Sequence, residues 1–84
     1  MLSLAAARDR WYTDSEIPGV RYRLNDAVVL LAGAHAGEEA AVISLEAIEP
    51  EPKYLVELLS GAGDLLLLES HLRPLSQPLS QPLR

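Results

Sequence analysis

Residues 20 to 73 fall into brief apolar runs, each closed off by glycine, proline or an acidic cluster, and this punctuation limits the chain to short elements. Val20, Tyr22 and Leu24 alternate with Arg21 and Arg23, the period of a half-exposed strand or an extended lead-in. Asn25 and Asp26 offer a turn, and Ala27 to Leu31, with two valines, is long enough for a core strand. Gly33 and Gly37 mark a loop that runs on through Glu38 and Glu39. Ala41, Ile43, Leu45 and Ala47 alternate with Val42, Ser44 and Glu46, which predicts a bent strand ended by Pro50 and Pro52. Tyr54, Val56 and Leu58 then alternate with Leu55, Glu57 and Leu59. Ser60 to Asp64 is a hairpin connection, because Gly61 and Gly63 supply the positive φ such turns require. Leu65 to Leu68 is expected as the return strand, buried on both faces or with one face at an interface, with a tight turn at Glu69 to Leu72 and a last strand at Arg73 to Leu75. Five strands of about five residues with short connections predict an all-β fold, a small closed barrel.

A helical alternative exists. Ala41, Leu45 and Ile48 also stand at i, i+4, i+7, so Glu38 to Glu49 could form a helix, and Lys53 to Ser60 a short one. The β reading is favoured because the runs are short and uncapped, and isolated short helices bury their faces poorly.

The two ends stand outside this core. Leu4, Ala7, Arg8 and Trp11 fall at helical spacing, which allows a turn or two of helix, with Trp11 and Tyr12 as docking residues. Residues 1–19 are expected as a loosely attached N-terminal extension, 20–75 as the barrel. Residues 76–84 continue a Pro-Leu-Ser-Gln repeat through Pro78 and Pro82 to Arg84; proline every fourth residue predicts a disordered, passive tail of polyproline character. The start lacks a basic segment ahead of its apolar residues, and Arg8 and Arg10 interrupt it, so no secretory signal is expected and the location is read as cytoplasmic.

Length and charge narrow the function. Eighty-four residues hold one domain at most. The longest uncharged stretch, Ala27 to Gly37, is too short to span a bilayer, and no membrane association is expected. Without cysteine there is no disulfide, thiolate nucleophile or Cys-ligated metal. Between Ala27 and Leu72 eight acids face one base, Lys53, a balance that repels phosphate backbones.

The stretch Val28-Val-Leu-Leu-Ala-Gly33-Ala-His-Ala-Gly37-Glu-Glu-Ala40-Ala-Val42 resembles the KOW-type opening of small SH3-like barrels: an apolar strand, two glycines about four residues apart, then a small residue before a β-branched one. Tyr54-Leu-Val-Glu-Leu, a Gly-Asp turn, and Glu69-Ser-His-Leu-Arg-Pro look like the second half of such a barrel, where a hairpin leads through one 3₁₀ turn into the last strand. The resemblance covers about residues 20 to 75 and implies a small five-stranded SH3-like barrel of the KOW/Tudor-like kind. It also implies a module associated with the translation or transcription machinery, or a small subunit of a larger enzyme, similar to the barrel in nitrile hydratase β chains. The sequence departs from the RNA-binding members: Glu38 and Glu39 stand where they are lysine-rich, and Ala40 takes the third glycine position. An RNA contact would fall to Arg8, Arg10, Arg21 and Arg23, and Tyr22 and Tyr54 are too few for a methyl-ligand cage.

No chemistry stands out. His35 and His71 lack ligand spacing, so no metal is expected, and no cofactor is implied. Ser44, Ser60 and Ser70 lie in no nucleophile motif, and a barrel filled by its own side chains leaves little room for a catalytic pocket. No enzyme activity is expected. The leucines of the 55–68 hairpin exceed what a small barrel can hide, which marks a protein contact or self-association at Leu55, Leu59, Leu66 and Leu68. The acidic residues Glu38, Glu39, Glu49 and Glu51 are expected to select a basic partner. The expected function is that of a non-catalytic protein-interaction module or small accessory subunit.

Overall fold

A computed structural model describes residues 3–13 and 17–75. One α-helix and five strands follow in order: α1 Leu4–Tyr12, β1 Ala27–Leu30, β2 Glu39–Ala47, β3 Lys53–Leu58, β4 Asp64–Leu68 and β5 Leu72–Pro74, with a 3₁₀ turn at Glu69–His71 before β5. The repeat expected to form a disordered tail, residues 76–84, lies outside the described residues.

The strands make one antiparallel sheet in the order β4-β3-β2-β1-β5. The first four form a meander, and β5 returns to pair with β1. The helical alternative for residues 38 to 49 is thereby excluded, since β2 occupies that stretch. Its inward residues Ala40, Val42 and Leu45 are fully buried, and two register shifts against β3, between Val42 and Ser44 and between Leu45 and Ala47, bend it. Among the described residues no pairing joins β4 to β5, so the sheet is not closed by hydrogen bonds. Val20 to Leu24 is an extended lead-in rather than a strand, and the Asn25 turn holds it: Asn25 takes φ 71° and its N–H donates to Val42 O at 2.7 Å.

The core runs through Val28, Leu30, Val42, Leu45, Tyr54, Val56, Leu58 and Leu72, closed by Trp11 and Tyr22. The N-terminal segment is not loosely attached. Ser3 caps α1 by accepting from the Ala6 N–H at 3.1 Å, and the helix buries Ala7 and Trp11 in that core. Trp11 Nε1–H donates to Tyr22 O at 2.7 Å, so burying the indole leaves no polar atom unpaired. A helix this short persists because the sheet supplies the surface it packs on.

Tyr22 joins the pieces. Its N–H donates to the Tyr54 hydroxyl at 3.2 Å, its own hydroxyl donates to Leu72 O at 3.2 Å, and the two rings meet edge to face at 5.5 Å. The Tyr54 hydroxyl in turn donates to Glu69 Oε2 at 2.7 Å, and the same carboxylate oxygen accepts the Arg21 N–H at 2.8 Å. The lead-in, β3, the 3₁₀ turn and β5 are thus held by one connected set of hydrogen bonds.

Candidate functional site

The β3–β4 hairpin divides its side chains by strand parity. Tyr54, Val56 and Leu58 point inward and are buried, and opposite them Leu65 and Leu67 pack against the core. Lys53, Leu55 and Glu57 point the other way, opposite Leu68, Leu66 and Asp64. Of the two readings of the run Leu65 to Leu68, burial on both faces is therefore excluded, since Leu66 is exposed. Only one face of β4 backs onto the core: Leu65 and Leu67 pack against it, whereas Asp64 and Leu66 on the other face are exposed. Leu66 is 56% exposed and stands beside half-buried Leu55, with half-buried Leu68 one row away. Leu59 is 62% exposed but sits beyond β3 in the turn, where Gly61 takes φ 86° and donates to Leu58 O at 3.0 Å. Three of the four predicted contact leucines thus share one face; Leu59 stands at its end.

The four acids do not form one surface. Glu38 and Glu39 lie at the start of β2, Glu49 and Glu51 past its end, roughly 25 Å apart along a nine-residue strand. Two of them serve the fold. Glu38 accepts from His35 Nδ1–H at 2.7 Å and from the Ser60 hydroxyl at 3.2 Å, tying the glycine loop to the hairpin turn. The hydrogen bond from His35, with help from Ser60, holds the Glu38 carboxyl below its usual range. Glu51 accepts from the Ser70 N–H at 2.9 Å and from its hydroxyl at 3.2 Å, anchoring the 3₁₀ turn. Glu39 and Glu49 remain exposed.

The candidate nucleophiles are occupied in the same way. Ser44 is buried, accepts from Arg8 and Tyr12, and donates to Glu46. In the Ser60–Glu38–His35 chain the carboxylate stands in the middle, whereas activation of a hydroxyl needs the imidazole next to it. Among the described residues no three His, Asp or Glu side chains gather as metal ligands, and no helix is long and apolar enough to cross a membrane. Of the four arginines considered for an RNA contact, Arg8 faces Glu46 at 3.9 Å and Arg21 lies 5.3 Å from the Tyr22 ring centroid.

One feature was not read from the sequence. A cleft of about 350 Å³ opens between the lead-in and the β2–β3 loop, with Ile17, Pro18, Val20, Ile48 and Pro52 as its apolar wall and Arg10 and Glu49 as its charged members. Its parts lie on either side of Ile17-Pro18-Gly19 and Pro50-Glu51-Pro52, segments that read as mere punctuation along the chain. Compared with protein families, with curated proteins and with solved structures, the chain matches none.

Proposed function

We propose that this chain is a small SH3-like barrel that serves as a non-catalytic protein-interaction module or accessory subunit, with the outer face of the β3–β4 hairpin as its contact surface. The barrel reading is supported by a four-strand meander whose fifth strand returns to β1 through a single 3₁₀ turn, and by the bent β2, which lets one sheet curl around one core. The observation that carries the function is the outward Leu66, more than half exposed beside Leu55 on the terminal strand of the sheet. An apolar row in that position gains free energy when a second protein covers it. The acids of the core weigh against nucleic acid, as does the placement of Arg8 against Glu46.

The test is the Leu66→Asp chain beside the wild type, each tagged and recovered from source cells, with Trp11 emission and far-UV circular dichroism as checks of folding. The proposal expects a stoichiometric protein, either another chain or a second copy, that the wild type holds and the folded variant loses. Equal retention by both chains refutes the hairpin contact. Recovery of RNA that salt displaces replaces it with the KOW-like reading.

A further inference from the structure

The backbone of β4 narrows the choice of partner. Its ladder with β3 is bracketed by two hydrogen bonds, Leu58 N–H to Gly63 O at 2.9 Å and Glu69 N–H to Pro52 O at 2.8 Å. Antiparallel ladders alternate, so Leu65 and Leu67 turn their N–H and C=O groups toward β3 while Asp64, Leu66 and Leu68 turn theirs outward. No strand among the described residues pairs with that outer edge.

The sheet's two edges differ. β5 is three residues long and carries Arg73 and Pro74, a charge and a missing amide of the kind that discourages edge pairing. β4 has no proline, and its one charge, Asp64, stands at its start, ahead of four leucines in succession from Leu65 to Leu68. Its outward residues 64, 66 and 68 are also symmetric about Leu66, so the edge can pair antiparallel with an identical edge. Each residue at i then faces the partner's residue at 132 minus i, which sets Leu66 opposite the partner's Leu66, a hydrogen-bonded pair, and Asp64 opposite the partner's Leu68.

Side chains on the outer face agree with this register. Across the two-fold axis the central row becomes Leu55, Leu66, the partner's Leu66 and the partner's Leu55, all apolar. Either flanking row runs Lys53, Leu68, the partner's Asp64 and the partner's Glu57, so a cation begins the row and two carboxylates end it. Lys53 is the one lysine of the chain, and in this register its stem reaches over Leu68 toward opposite charge. The order cation, leucine, acid is complementary to itself only when the two strands run antiparallel.

We infer that the occupant of the hairpin surface is a second copy of this chain, joined through β4 edges paired about Leu66 into a two-fold symmetric ten-stranded sheet. This rests on the proposed contact surface and goes beyond it by naming partner and register. A contact this small makes a dimer that dissociates on dilution.

Sedimentation of the full chain over a concentration series tests it, together with cysteine cross-linking, since the native chain has no cysteine. The wild type should double in mass from 9.1 kDa as concentration rises, and Leu66→Asp should stay monomeric. Oxidation should couple Leu66→Cys to itself, because hydrogen-bonded partners lie about 5.5 Å apart at Cα, within disulfide reach. Leu59→Cys, at least as exposed but off the axis, should couple several-fold less. Lys53→Glu should weaken the dimer, and adding Asp64→Lys should restore it; both positions are on the outer face, so the comparison does not depend on a core change. A wild type that stays monomeric to millimolar concentration overturns self-pairing, as does equal coupling of the two cysteine variants. If the monomeric wild type still recovers another protein that Leu66→Asp loses, self-pairing falls while the interaction surface stands. If neither association nor such recovery occurs, both fall.

Discussion

Tyr54 shows how much one side chain settles here. Its ring fills the centre of the core, and its hydroxyl accepts from Tyr22 N–H and donates to Glu69, a carboxylate oxygen that also takes the Arg21 N–H. Tyr54→Phe keeps the ring and orphans the Tyr22 amide, at a cost of about 1–3 kcal/mol, to be read from the urea midpoint at pH 7. Burial and the Glu69 carboxylate both push the Tyr54 hydroxyl pKa above its ordinary 10.0, and burial raises that of Tyr22 as well. The unfolded chain therefore releases these protons first. Stability from this source is complete below pH 10 and declines as pH rises beyond it, and Tyr54→Phe should flatten that decline in alkaline urea titrations. A pH dependence unchanged in the variant would place the alkaline sensitivity elsewhere. None of this was legible in sequence, where Tyr54 was a strand residue by alternation and Glu69 merely opened a turn. Parity finds the face a side chain takes, but not the carboxylate of the 3₁₀ turn that the fold brings over it.

At the scale of elements, β1, β3, β4 and the 3₁₀ turn lie within a residue or two of where alternation and glycine placed them, because each run is short and its punctuation unambiguous. The helix was legible as spacing, through Ala7 and Trp11, but its firm docking was not: the anchor is the Tyr22 carbonyl, eleven residues away in an extended segment. Trp11→Ala should cost about 3–5 kcal/mol by removing a fully packed ring, measured by chemical unfolding. Trp11→Phe should recover part of that loss and leave the Tyr22 carbonyl short of its partner. Were Trp11→Ala as stable as the wild type, α1 would be an appendage after all. The leucine run leaves two readings open for a related reason: composition cannot tell a central strand from a terminal one, and only the sheet order shows that Leu66 has a single neighbouring strand among the described residues. Nor does the sequence show how far apart the acidic loops lie: Glu38 and Glu49, eleven residues apart, stand at opposite ends of β2.

For the whole molecule, charge is the most general statement. A net charge of −5, with eight acids against one base in the segment from Ala27 to Leu72, predicts that fluorescence anisotropy with single- or double-stranded oligonucleotides stays flat at about 0.15 M salt. Binding there with a steep salt slope, lost on neutralising Arg21 and Arg23, would reverse the functional assignment. The chain also carries a single tryptophan, and the structure puts it where the helix meets the sheet. Its emission is consequently an optical gauge of one joint. Blue-shifted light signals a seated helix, and it is this shift that reports the joint, because tyrosine excitation also reaches Trp11 from Tyr12, whose ring lies 5.0 Å away on the same helix. A red shift with the β circular dichroism retained would then mark a state in which the helix alone has let go, so a titration followed by both signals separates undocking from unfolding without any added label.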